Sequence, residues 1–309
     1  MIVYKILSSF FGSFLSFPND EVFVDEEKKG ENIRGLVKTL YVFNLFYAFS
    51  FFKSFHTSFI EAPIDPLWPS FALRLMPFYL GKMVIASFYL ISSLLVLTNW
   101  ERFGFRLLAC LGALCAFSLP SSYGSIYHAD HLYLFALFGI TFFPFKKGGK
   151  DLLIAFSALQ GFILFTYSLS GMWKFLLAIY QLLFDSRSAF HPLSMAEQVS
   201  YEILTSGATP PISNFILEYP VIFMPVLLGG IYVEMFSLYA FSRPNLHRLW
   251  GFLLILLHIG TYLFLQVGPC SPLIVLGLFL VNSPFRENST LRVALRELPV
   301  LRRGFGLRP

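Results

Sequence analysis

Five stretches of this chain set an ionisable or amide side chain among residues that are almost all apolar. They are His128-Ala129-Asp130-His131 in SSYGSIYHADHLYLF, Gln160 in SALQGFILF, Lys174 in YSLSGMWKF, Glu234 in GGIYVEMFSLY and His258 in LLILLHIGTYLF. Placing an ionised side chain in hydrocarbon costs about 2.5–3.5 kcal/mol on insertion scales, so each group needs a partner or a task.

The chemistry open to them differs. His128, Asp130 and His131 can form a hydrogen-bonding or proton-handling cluster, or Asp130 can simply cap a helix that starts there. Two histidines make an incomplete metal site, and no metal is expected. Lys174 has two readings: a snorkelling lysine whose amine reaches water, or a buried amine that works as a base. Glu234 needs a Lys or His partner or a proton, and either state would hold helices together as well as serve chemistry. His258, alone on its apolar run, is either a packing residue with one hydrogen bond or a ligand contact. Gln160 reads as an interhelical hydrogen-bonding group. Cys110, Cys115 and Cys270 form no CxxC pair or zinc spacing and read as small buried residues.

What must position these groups is a set of long apolar elements. Of the 309 residues, 56% are hydrophobic and 13% charged, with 38 Phe and a mean hydropathy of +0.66. Soluble domains carry about 25% charged residues. The composition therefore predicts an all-α, polytopic transmembrane bundle. Its expected spans are 35–55, 81–99, 103–119, 131–145, 152–169, 219–241, 249–267 and 271–281. The fourth and eighth are short. The fifth can run on towards Phe184, as a long, tilted helix or one broken near Gly171.

Positive charge orients the set. With the N-terminus inside, the cytoplasmic stretches hold Lys5, Lys28, Lys29, Arg34 and Lys38, then Arg102 and Arg106, then Lys146, Lys147 and Lys150, then Arg243 and Arg248. The tail adds Arg286, Arg292, Arg296, Arg302, Arg303 and Arg308, leaving Lys53, Arg74, Lys82 and Arg187 for the other face. This asymmetry predicts eight spans with both termini in the cytoplasm. It also explains the net charge of +5 as topology, with no nucleic-acid partner implied.

Three segments follow: 1–34, with a short N-terminal interfacial helix; 35–285, the transmembrane domain; and 286–309, a basic cytoplasmic tail. Two larger outer loops, 56–78 and 184–218, are too short for a soluble domain. No P-loop, GxSxG, HExxH or GxGxxG stands in a suitable context, so neither nucleotide hydrolysis nor hydride transfer is supported.

Three stretches resemble the HTTM family of membrane domains, which includes the membrane part of vitamin K-dependent gamma-carboxylase. HADHLYLFALFGITFFP is similar to the family's His-containing motif with its apolar helix. FILFTYSLSGMWKF resembles the segment of Tyr, Ala/Ser, Gly and Lys. LLILLHIGTYLFLQVGPCSPLIVLGLFLVNSP resembles the late His-bearing helix and the short helix ending in Ser-Pro. The resemblance implies that Lys174 is the base deprotonating a reduced quinone of the vitamin K or menaquinol type. It further implies that His128 or His131 and His258 are the catalytic histidines. Asp130, Glu234, Tyr167 and Trp173 are the accompanying candidates for substrate binding.

Two departures qualify it. Only about 25 residues, six of them arginine, follow the last span, where the carboxylase has a large lumenal domain, and Trp173 stands where the family often has a second lysine. Carboxylation of a large protein substrate is not expected. The competing functions are a quinol-linked membrane enzyme, a non-catalytic maturation or immunity factor that binds a small exported peptide, and a transporter. The inner membrane of a bacterium is the expected location, and the lipid bilayer the first partner.

Overall fold

The computed structural model describes residues 25–54, 69, 77–122, 128–184, 188–207, 209–266, 270–285 and 291–299. The expected interfacial helix lies in 1–24, outside the described residues, as do most of the loop 56–78 and parts of the tail.

All regular structure among the described residues is helical. In chain order the helices are α1 (Glu26–Ser54), α2 (Phe78–Thr98), α3 (Phe103–Ser121), α4 (His128–Thr141), α5 (Gly149–Phe184), α6 (Ser194–Ser206), α7 (Ser213–Glu218), α8 (Pro220–Met235) and α9 (Ser237–Phe241). A 3-10 turn (Pro244–Leu246) leads into α10 (His247–Leu265). Then come α11 (Cys270–Leu276), prolonged by a π-helical turn (Gly277–Val281), and α12 (Leu291–Arg296).

Each apolar stretch expected to span falls on helix, the sixth on two of them. Among the described residues five are long and apolar enough to cross a membrane: α1, α2, α3, α5 and α10 with its leading turn. Helix α4 has 14 residues, and α8 and α11 are likewise short. The fifth stretch is one unbroken helix of 36 residues, with no interruption at Gly171. The sixth is instead the divided one, because Phe236 separates α8 from α9.

The chain forms two compact units, and their boundary falls inside α5, between Leu159 and Gln160. In the unit Asp25–Leu159, helices α1–α4 pack around a buried polar knot. Asn44 donates to Ser93 Oγ at 2.8 Å and accepts from the Tyr89 and Tyr133 hydroxyls at 3.1 and 3.4 Å. Tyr47 and Phe117 surround it edge-on. A buried amide persists there because its groups have partners.

The end of α4 is fixed by arginine. Buried Arg106 donates to the Thr141 and Phe143 carbonyls at 3.0 and 3.1 Å and to those of Trp100 and Glu101. Arg34 donates to the Phe145 carbonyl at 2.9 Å. Helix C-termini leave carbonyls without intrahelical donors, and cations there also suit the helix dipole. Two of the charges that the sequence assigns to topology thus also carry packing.

In the unit from Gln160 onward, α5 lies against α8, α9 and the π-helical turn that prolongs α11, and α10 packs on α8, on α11 and on that turn. Trp250 of α10 is fully buried and donates to the Val233 carbonyl and Ser237 Oγ at 3.1 and 3.0 Å, on either side of the break between α8 and α9.

Candidate functional site

One face of α5 carries Gln160, Tyr167, Gly171 and Lys174, at successive spacings of seven, four and three residues, with Ser168 beside Tyr167 and three residues before Gly171. In a helix those positions share a side. Each except Gly171 uses its side chain for a bond to another element of its own unit, and Gly171 makes the approach close enough for the others.

A Cβ on Gly171 would meet the Met235 amide nitrogen and come within 2.7 Å of the Glu234 carbonyl carbon and Cβ. Only hydrogen fits, so the α5 and α8 backbones are in direct contact, the small-residue packing familiar in apolar bundles. One turn earlier, Ser168 Oγ donates to the Met235 carbonyl at 3.1 Å and accepts the Leu238 N–H at 2.7 Å. A single hydroxyl therefore satisfies the last carbonyl of α8 and an early amide of α9. One turn later, Lys174 Nζ lies 2.6 Å from both oxygens of Glu234. The lysine side chain is 50% exposed and the glutamate 8%.

A second pair sits beside the first. Tyr167 Oη and His258 Nε2 are 2.5 Å apart, their rings edge-on at 5.7 Å. Tyr167 and Lys174 stand seven residues apart on one side of α5, so the two pairs lie along the same face of that helix. Lys174, Glu234, Tyr167 and His258 therefore make one four-residue cluster, drawn from α5, α8 and α10.

Trp173 is 68% exposed and takes no part in the cluster. His128, Asp130 and His131 occupy the first turn of α4, in the other unit. The helix begins at His128, which places the Asp130 carboxylate inside the first turn, where negative charge favours the helix dipole. Gln160 acts across helices as expected, donating to the Phe279 carbonyl and to Ser283 Oγ, which His247 also contacts. Among the described residues no three of His, Cys, Asp and Glu converge as metal ligands would.

Sequence reasoning passed over Ser168, Gly171 as a contact, Asn44 and Trp250. Asn44 had a usable signal, because it is a lone amide in YVFNLFYAF, the criterion that singled out Gln160. Ser168 had none, since serine is common in apolar helices and bonds its own backbone there.

No protein-family model, curated protein or solved structure matches the chain.

Proposed function

We propose that this is an HTTM-like protein of the bacterial inner membrane, with eight spans and both ends in the cytoplasm, that deprotonates a lipid-soluble quinol at the Lys174–Glu234 pair. The observation that carries the reading is the contact of Lys174 Nζ with both oxygens of a buried carboxylate, on a lysine that stays half exposed.

A protonated lysine is no base, and the geometry supports a way around this. Passing one proton from the ammonium to Glu234 leaves a neutral amine beside a neutral acid and removes two charges from apolar surroundings. The amine then accepts the proton of a quinol hydroxyl. The O–H bond breaks, its electrons stay on oxygen, and a quinolate remains beside the reformed ammonium. Glu234 keeps the first proton, so Lys174 works as a relay and Glu234 as the final acceptor. Tyr167 and His258 line the same cluster and orient the ring. The roles of His128, His131 and Asp130 rest on the family resemblance alone.

The test is oxidation of menaquinol or reduced vitamin K in air, with dioxygen as oxidant, by purified protein. Wild type turns over, while Lys174→Met and Glu234→Gln lose turnover and still elute as folded protein. Unchanged turnover in both variants would remove the proposal.

The break between α8 and α9, beside a charged pair, favours transport as the second reading, because transporters place discontinuous helices at their binding sites. That reading expects solute uptake by proteoliposomes and no quinol chemistry.

A further inference from the structure

The sequence around Phe236 holds no helix breaker of its own, with neither Pro nor Gly from Tyr232 to Ala240. Yet Phe236 leaves the helical region, at φ −92° and ψ 11°, and the chain restarts as α9 at Ser237. A helix without Pro or Gly breaks where a side chain enters its ladder of hydrogen bonds.

Two neighbouring helices send a side chain in. Trp250 of α10 donates to the Val233 carbonyl, which also accepts the Ser237 hydroxyl at 2.8 Å. Ser168 of α5 does more, because it is donor and acceptor at once. In an unbroken helix the Leu238 amide would bond the Glu234 carbonyl, and the Met235 carbonyl would accept the Tyr239 amide. Ser168 Oγ holds one member of each pair, the Met235 carbonyl at 3.1 Å and the Leu238 N–H at 2.7 Å. Two consecutive rungs are diverted to one buried hydroxyl, and the first of them belongs to Glu234.

The spacing on α5 ties this hydroxyl to the ion pair. Ser168 and Lys174 stand three residues either side of Gly171, whose own approach is to Glu234 and Met235. One helix thus grips the Met235 backbone with one side chain and the Glu234 carboxylate with another. Side-chain direction turns by about 100° per residue of helix, so the backbone at 234–236 decides where the carboxylate points.

We infer that Ser168 is a positioning residue of the Lys174–Glu234 pair, holding the α8 backbone open so that both carboxylate oxygens face the lysine. Without its hydroxyl the Leu238 amide returns to the Glu234 carbonyl, α8 and α9 join, and the carboxylate turns away from Lys174 Nζ. One consequence rests on the quinol reading: Ser168 acts through Glu234, so Ser168→Ala should lower kcat and leave KM unchanged.

A melting cycle in detergent tests the inference without any substrate. In a paired protein, Glu234→Gln lowers the melting temperature alone and raises it when added to Lys174→Met. The gap between those two effects measures the pairing. In Ser168→Ala the gap should shrink to less than about half, whereas a gap of wild-type size would overturn the inference. A fold that is merely weakened shifts all four temperatures together and keeps the gap. Trp250→Phe is the control, since it removes the bonds to Val233 and Ser237 from the other side of the break. It should lower the temperatures and keep the gap; an equal collapse would show that any damage at the break separates the pair, overturning the role of Ser168. Where Ser168→Ala does not fold, Ser168→Cys replaces the hydroxyl with a weak donor, and the same two outcomes decide. A collapsed gap in Ser168→Ala beside a wild type without menaquinol turnover would support the inference and remove the quinol reading. Where wild type does turn over, an unchanged kcat in Ser168→Ala would overturn the inference.

Discussion

Lys174 Nζ lies 2.6 Å from each oxygen of the Glu234 carboxylate, joining a half-exposed ammonium to a buried acid across α5 and α8. The asymmetry in exposure sets how the two partners respond to removal. Lys174→Met strands a buried carboxylate, whereas Glu234→Gln leaves an ammonium that can still turn to water. Thermal unfolding in detergent should show Lys174→Met destabilised by about 2–4 kcal/mol and Glu234→Gln by about 1 kcal/mol. The double variant should be more stable than Lys174→Met alone, since the stranded charge is gone. Additive losses would mean that the pair is not coupled.

Gly171→Ala places a methyl group where the α8 backbone already lies. The helices must separate, at a cost of about 1–3 kcal/mol. Gly229→Ala, with nothing within 4 Å of its added carbon, serves as the control and should be neutral. The same melting assay compares them, and equal behaviour would contradict the close approach.

Asn44→Leu takes the shared partner away from Tyr89, Tyr133 and Ser93 in one step. Stranded buried hydroxyls cost about 1–3 kcal/mol each, reduced where they find new partners. A fall in melting temperature larger than that of an exposed change such as Phe46→Leu is expected. A neutral Asn44→Leu would show that the knot contributes no stability.

Topology is open to fusion reporters. Alkaline phosphatase joined after residue 148 should be inactive and after residue 187 active, while green fluorescent protein at the C-terminus should fluoresce. An active phosphatase after residue 148 would invert the orientation.

The helices were legible because hydropathy and helix length are set by the same solvent, and the stretches from 35 to 281 show it plainly. Polar residues in apolar runs led directly to Lys174, Glu234, Gln160 and His258 for a related reason: lipid tolerates few of them. What the pattern could not carry was pairing. Glu234 needed a cation, and only the tertiary contact at Gly171 selects Lys174. The break at Phe236 was also hidden, because PVIFMPVLLGGIYVEMFSLYAF is apolar apart from Glu234 and Ser237 and hydropathy does not register a hydroxyl inserted from a neighbouring helix. Gly171 was instead a plausible breaking point in α5, since a glycine that weakens a helix and one that admits a neighbour look alike in sequence.

The central claim is that the Lys174–Glu234 pair deprotonates a quinol, and the most direct measurement is the rate of menaquinol oxidation in air by purified wild type and Lys174→Met. The account predicts turnover in wild type and a loss of at least about a hundredfold in the variant, the size expected when a positioned base is removed. Equal rates in the two folded proteins would contradict it.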